Sequence, residues 1–195
     1  MPGNSSQNVY VTPNAPLTPF GQDLQRILQQ WVVGVSGLSG SFVRPLWQQE
    51  PANIPDVGDT WAAIGITETT GDAFPYIEHD PAGDGSDVVQ NNETFVLATR
   101  WYGPDAGRLC ATMVMSCAVP QNRDKLLPIK LIRVPDRWLS VPVLFKERWQ
   151  NRIDMNIVMR RQLDSRYAIF NLTSAQGILR TDTTPPYQAP INVEQ

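Results

Sequence analysis

From Ile153 the chain alternates: Ile153, Met155, Ile157 and Met159 are apolar, and Asp154, Asn156 and Arg160 fall among them. A period of two puts the apolar set on one side of a pleated strand, whereas a helix would scatter it around the circumference. Residues 141–163 are therefore expected to hold a long strand, buried on one face, around which the rest is organised. A different period governs the start of the chain, where Phe20, Leu24, Ile27, Leu28 and Trp31 recur at helical spacing. Thr18 and Pro19 supply an N-cap and a first-turn proline, and Gly34 and Gly37 bring that helix to its end.

The remaining elements follow from the same two periods. Residues 61–69, WAAIGITET, read as a strand in which Gly65 admits another backbone closely, and residues 74–79, FPYIEH, as an edge strand because of Pro75. Residues 80–86 read as a turn or a longer loop, and residues 92–102 as a strand with Phe95, Leu97, Thr99 and Trp101 on one face. Gly103 and Pro104 open a second helix, with Asp105 in its first turn and Leu109, Met113, Val114 and Cys117 as its apolar stripe. Short elements are expected after Pro120 and at residues 129–134, 167–172 and 178–179, while prolines at positions 45, 51 and 55 forbid regular structure for long between residues 41 and 59, so that residues 44–56 are an extended loop pinned by Trp47 and Ile54. The sum is an α+β fold, a two-layer sandwich of a mostly antiparallel sheet with two main helices packed on it. It is expected as one domain, residues 19–180, between an N-terminal extended arm, residues 1–18, and a Pro-rich C-terminal arm, residues 181–195.

Charge changes this picture through its distribution. Residues 45–99 contain ten carboxylates and no Lys or Arg, whereas residues 123–180 contain twelve Lys and Arg against five Asp and Glu. The basic side chains Lys146, Arg148, Arg152, Arg160, Arg161 and Arg166 cluster on and beside the organising strand, so something acidic is expected to meet it, from this chain or from another subunit. A solvated face is the plainest reading, and a net charge of -3 argues against general nucleic-acid binding. A subunit contact is the third: unlike patches on one molecule make a head-to-tail interface, which closes into rings or runs on as filaments. Arg148, Arg152, Arg160, Arg161 and Trp149 are its proposed basic side. Asp72, Glu78, Asp80, Asp84, Asp87 and Glu93 are its acidic side, or else the wall of a lumen. Arms of the kind seen at both ends can add strands to a neighbour's sheet.

Catalytic chemistry finds little support. The single histidine, His79, stands between Glu78 and Asp80, but neighbours in a strand point to opposite faces and no second His completes a metal set. Gly83-Asp84-Gly85 lacks the spaced ligands of a calcium loop, and no nucleophile elbow, phosphate loop or Cys-x-x-Cys is present. No catalytic residue, cofactor or metal is assigned. Cys110 and Cys117 lie two turns apart on one helical face, too far to bridge, and are expected as reduced core thiols in keeping with a cytoplasm. The N-terminus lacks the pattern of a signal peptide and the apolar run at residues 31–35 is too short to span a bilayer, so no membrane partner is expected. The six tryptophans are dispersed, which favours core and subunit-contact roles over a sugar-stacking platform, the mark of a glycan-binding module.

The ordered runs VRPLWQQEPANIPD, TWAAIGIT, YIEHDP, WYGPDA, VPQNRD and VPVLFKERWQNRIDMNIVMRRQ resemble the phage neck or tail terminator family of tailed bacteriophages, over residues 20–180. The resemblance implies a non-catalytic virion protein of small α+β fold, made in the host cytoplasm and placed at the neck between capsid connector and tail. It implies a ring, usually of six subunits, that caps the tail tube, ends its polymerisation and joins the head. Its partners would be its own copies, the tail tube protein, the sheath protein where the tail contracts, and the head-to-tail connector, with DNA passing unbound. A stopper or adaptor elsewhere in the neck is the neighbouring alternative.

Overall fold

In a computed structural model, residues 10–14, 19–47, 54–145, 147–169, 174–180 and 188–194 are described. The Thr18 cap, the centre of the 44–56 loop, Lys146, the end of the 167–172 strand and most of both arms lie outside them. The elements in order are helix α1 (Gly21–Ser36), a short 3-10 turn (Gly40–Phe42), strands β1 (Val43–Pro45), β2 (Trp61–Gly71), β3 (Tyr76–Asp80) and β4 (Ser86–Tyr102), and helices α2 (Ala106–Cys117) and α3 (Pro120–Asp124). Strands β5 (Lys130–Leu131), β6 (Trp138–Ser140), β7 (Val143–Phe145), β8 (Arg148–Gln150), β9 (Arg152–Tyr167), β10 (Ser174–Arg180) and β11 (Gln188–Glu194) follow. The chain divides into two compact units, a larger one of residues 17–76 and 90–164 and a smaller one of residues 1–16, 77–89 and 165–195.

The main sheet runs β1-β2-β4-β9-β5, with β3 on β4 and β6 on β9. It is mostly antiparallel; β1 and β2 are the parallel pair. This is the expected mixed α+β architecture, and β9 is an interior strand, paired with β4, β5 and β6, while β4 stands at the middle of the order. In the larger unit one sheet face carries Ile64, Phe95, Leu97, Trp101, Met155, Ile157 and Met159, and packs on Leu24, Leu28, Trp31 and Val32 of α1 and on Leu109, Cys110, Met113 and Cys117 of α2. Each large side chain sealed here contributes about 1.5–3 kcal/mol by leaving water. The polar atoms of Trp101 and Thr99 are matched: the Trp101 indole N–H donates to Thr99 Oγ1 (3.0 Å), and the Thr99 hydroxyl donates to the Met155 carbonyl across the strand pair (3.1 Å). Burial pushes the thiols of Cys110 and Cys117 up to about 11, from an ordinary 9.0, and both are free.

Several local expectations change. Helix α1 continues through Gly34 and stops at Ser36, where Gly37 adopts φ 75° and donates its N–H to the Val33 carbonyl. Phe20 lies in the extended residue before that helix, and not on its buried stripe. Gly65 admits the side chains of Leu46 and Trp47, each 2.9 Å from where a Cβ would stand, rather than a backbone. Gly103 is the glycine that a backbone demands: at φ 98°, its Cβ would fall 2.2 Å from the Asp59 carbonyl oxygen.

The organising stretch is not one strand throughout. Strands β7 and β8 pair as a two-stranded sheet of their own, the β7–β8 hairpin, with Leu144 opposite Trp149, and Glu147, just before β8, adopts φ 61°. Strand β9 begins only at Arg152 and extends to Tyr167. In the smaller unit β10 and β11 pair antiparallel over seven residues, from Ser174↔Glu194 to Arg180↔Gln188. The second arm therefore contains a regular strand.

Candidate assembly surfaces

Strand parity sorts the basic residues of β9. Counting in twos from Ile153, the next inward position after Met159 is Arg161, whereas Arg152 and Arg160 fall on the opposite face. On β4 the same count back from Phe95 reaches Glu93. The two charges thus meet in line with the core, where Arg161 Nε donates to Glu93 Oε1 at 3.0 Å and Arg161 is only 3% exposed. The guanidinium also donates to the Pro19 carbonyl and lies over the rings of Phe20, 4.6 Å from its centroid, and Phe95 at 5.9 Å. Such a buried cation is tolerable because each face and edge finds a partner. Arg160 and Arg161, read together as one basic surface, are therefore on opposite faces, and Arg161 closes the core of its own protomer.

The outward face of the larger unit pairs its charges too. Arg152 holds Asp154 through two bonds of 2.8 Å, and Arg100 reaches the same carboxylate at 3.3 Å. The hydrogen bond to Asp154 raises the Arg152 pKa above its ordinary value, while burial raises that of Tyr102, which stacks on Trp61 with centroids 4.2 Å apart. Arg160 meets Asp72 at 2.7 Å in the open. Beside these pairs runs a groove of about 530 Å³, bordered by Glu68, Arg100, Arg137, Trp138 and Asp154.

In the smaller unit Arg166 donates to Asp80 (3.2 Å) and to Ser86 (3.3 Å). His79 Nδ1 is 2.7 Å from Asp87 Oδ1, so its partner lies across the β3–β4 turn and is neither Glu78 nor Asp80. Asp80 Oδ1 accepts from the Ala82 N–H, setting the turn that Gly83 (φ 64°) and Gly85 (φ 93°) complete. Among the described residues no three His, Cys, Asp or Glu side chains come together as a metal set.

Once these pairs are subtracted, four of the residues singled out from sequence stand exposed with no ion pair among the described residues: Arg148 and Trp149 on the hairpin, Glu78 on β3 and Asp84 in the turn after it. The structure adds large apolar neighbours that sequence reading missed. Trp149 (72% exposed) faces Leu144 (62%) across the hairpin, and Tyr76 (59%) and Ile77 (58%) precede Glu78. Alternation was the available signal for Leu144, but it was masked by reading residues 141–163 as continuous. Exposed tryptophan and paired aliphatics of this kind mark protein contacts rather than chemistry on a small molecule.

The model of one family, described as phage neck terminator protein, matches residues 22–185, nearly the span over which the sequence motifs run. A search of the curated proteins finds no match. By that match over most of its length, the chain belongs to the phage neck terminator family and is a structural component of the tailed-phage virion at its neck, where it associates with other neck and tail components.

Proposed function

We propose that the protein ends the tail: identical protomers join head to tail in a closed ring, six by the family's habit, that caps the tail tube, and the sheath where one exists. The ring stops polymerisation and offers its other side to the head connector. The observation that carries this is the residue of charge and apolar surface left over inside one protomer. Exposed Arg148 and Trp149 stand on the hairpin, with exposed Glu147 beside them, and exposed Glu78 and Ile77 stand on β3; different patches on one molecule that meet across copies make heterologous, ring-forming contacts. The two arms, residues 1–18 and 181–195, extend that contact to neighbours.

The ring leaves a channel for DNA. The turn at residues 80–86, with Asp84 exposed and no Lys or Arg in residues 45–99, belongs at its wall. A wall that repels phosphate lets the duplex slide, whereas a basic one would release counterions and hold it.

Adding the purified protein to polymerising tail tube protein tests the reading. Tubes of arrested length with one capped end are expected. Unchanged elongation, with binding to the portal complex instead, would move the protein to a stopper or adaptor position.

A further inference from the structure

We infer that Arg161 is the positioning residue of the N-terminal arm: its guanidinium fixes Pro19 and Phe20, and with them the point from which residues 1–18 depart. This rests on the part given to the arms in the ring reading above and names what holds the root of one of them.

Helix α1 has no firm start of its own. Its N-cap is Phe20, whose side chain offers the first turn no acceptor, and Gly21 follows at φ 55°, a conformation that glycine adopts without strain. Phe20, Gly21, Gln22 and Asp23 are exposed, and the first side chain that the helix buries is Leu24. Asp23 pairs with Arg26 of the same helix. Among the described residues, the hydrogen bond and the ring contact that tie residues 19–23 to the sheet both go to Arg161: the guanidinium donates to the Pro19 carbonyl and lies 4.6 Å from the centroid of the Phe20 ring.

The side-chain type suits that task better than it suits the core. Pro19 has no N–H, so a hydrogen bond can hold its backbone only by the carbonyl. A planar guanidinium gives one edge to that carbonyl and its Nε to Glu93, at 3.0 Å, while its face takes an aromatic ring. Phe95 of the core stands at 5.9 Å from the same group. The root of the arm is thus joined through one side chain to two interior strands, β4 and β9. A well-packed apolar residue at position 161, with another at 93, would seal the core as well as the ion pair does; it would hold neither the carbonyl nor the ring.

Fold and position therefore come apart in the full chain carrying Glu93→Leu with Arg161→Met. Its thermal melting should stay close to that of the wild type, whereas its association on preformed tail tube, read by mass photometry, should weaken by about tenfold or more. Phe20→Ala approaches the same point from the other side. The ring is half-exposed, so melting should again hold, while a nitroxide on Gln22→Cys should gain a mobile population by about two- to fivefold, Cys110 and Cys117 being buried. Assembly should weaken with it. Phe20→Tyr keeps a ring over the guanidinium and should restore both readings. A full-length chain with Val9→Ser, Tyr10→Ser and Val11→Ser, which strips the arm of its strand-forming residues, should weaken assembly by itself, and adding Phe20→Ala to it should weaken assembly no further, because nothing is left to position.

That pattern supports the inference. Wild-type assembly by the paired substitution, by Phe20→Ala or by the serine variant overturns it and leaves the ring reading standing, as do losses that simply add. A wild-type chain that stays monomeric both alone and on the tube removes the ring reading and this inference together.

Discussion

Neutralising one carboxylate, Glu93→Gln, separates a charge pair that belongs to the fold from one that belongs to an interface. Arg161 and Glu93 are 3.0 Å apart, and at an effective dielectric of about 20 their attraction is on the order of 5 kcal/mol. Desolvation of two ions offsets most of that, so the pair as a whole stabilises little relative to well-packed apolar residues. Breaking it is another matter. Glutamine keeps an acceptor oxygen but leaves the guanidinium, 3% exposed, without its counter-charge, and the expected loss is about 3 kcal/mol. For a chain of this size that corresponds to a melting point lower by roughly 6–12 °C. Replacing both partners, Glu93→Leu with Arg161→Met, should recover stability to within about 1 kcal/mol of the original, giving a coupling energy of opposite sign to the single losses. Asp72→Asn is the built-in comparison: Asp72 and Arg160 are 2.7 Å apart, but their side chains are 44% and 41% exposed, and this substitution should change stability by less than about 1 kcal/mol. Urea unfolding at low and high salt reads the three variants beside the original chain. The reasoning fails if Glu93→Gln costs no more than Asp72→Asn, or if 1 M salt erases its effect, since a pair sealed from solvent is hardly screened.

Gly103→Ala should cost at least about 3 kcal/mol, since its Cβ would stand 2.2 Å from the Asp59 carbonyl oxygen at φ 98°; a urea midpoint close to that of the original chain would contradict the close approach. Gly65→Ala, whose Cβ would stand 2.9 Å from the Leu46 Cβ as well as from the ring of exposed Trp47, should also lower the urea midpoint: the ring can shift, but the Leu46 Cβ moves only with its backbone. The thiols give a pH dependence of definite sign. Burial raises Cys110 and Cys117 to about 11 from 9.0, so the unfolded chain releases these protons first and stability falls as pH rises from about 9 to about 11. The fall should approach roughly 2–3 kcal/mol for each thiol. Cys110→Ala with Cys117→Ala should flatten that part of the curve, and iodoacetamide should label the native thiols only after unfolding.

What the sequence disclosed is what periodicity carries. The inward sets of β4 and β9 and the helical stripes of α1 and α2 were legible because each repeats several times at a fixed spacing. Arg161 was legible by the same count, being the next odd position after Met159, yet grouping it with Arg160 by charge hid its direction. The hairpin was not legible: apolar residues at 143–145 continue the pattern of β9, and the break comes at Glu147, a left-handed residue whose type does not announce it. Strand β4 begins at Ser86, six residues before its apolar alternation, because pairing with β3 and not burial holds that end. Ion pairs between residues 68 and 88 positions apart, Glu93 with Arg161 and Asp72 with Arg160, depend on which strands become neighbours. Composition showed that acid and base were segregated along the chain; only the fold showed that three pairs between the two segments, Asp72 with Arg160, Asp80 with Arg166 and Glu93 with Arg161, close inside one protomer.

The account stands on protomers joined through what remains. Cryo-electron microscopy of the neck in intact particles tests this most directly. A closed ring of this chain at the head-proximal end of the tail tube is the predicted density; a neck in which this chain is absent, or present as isolated single copies, would contradict it.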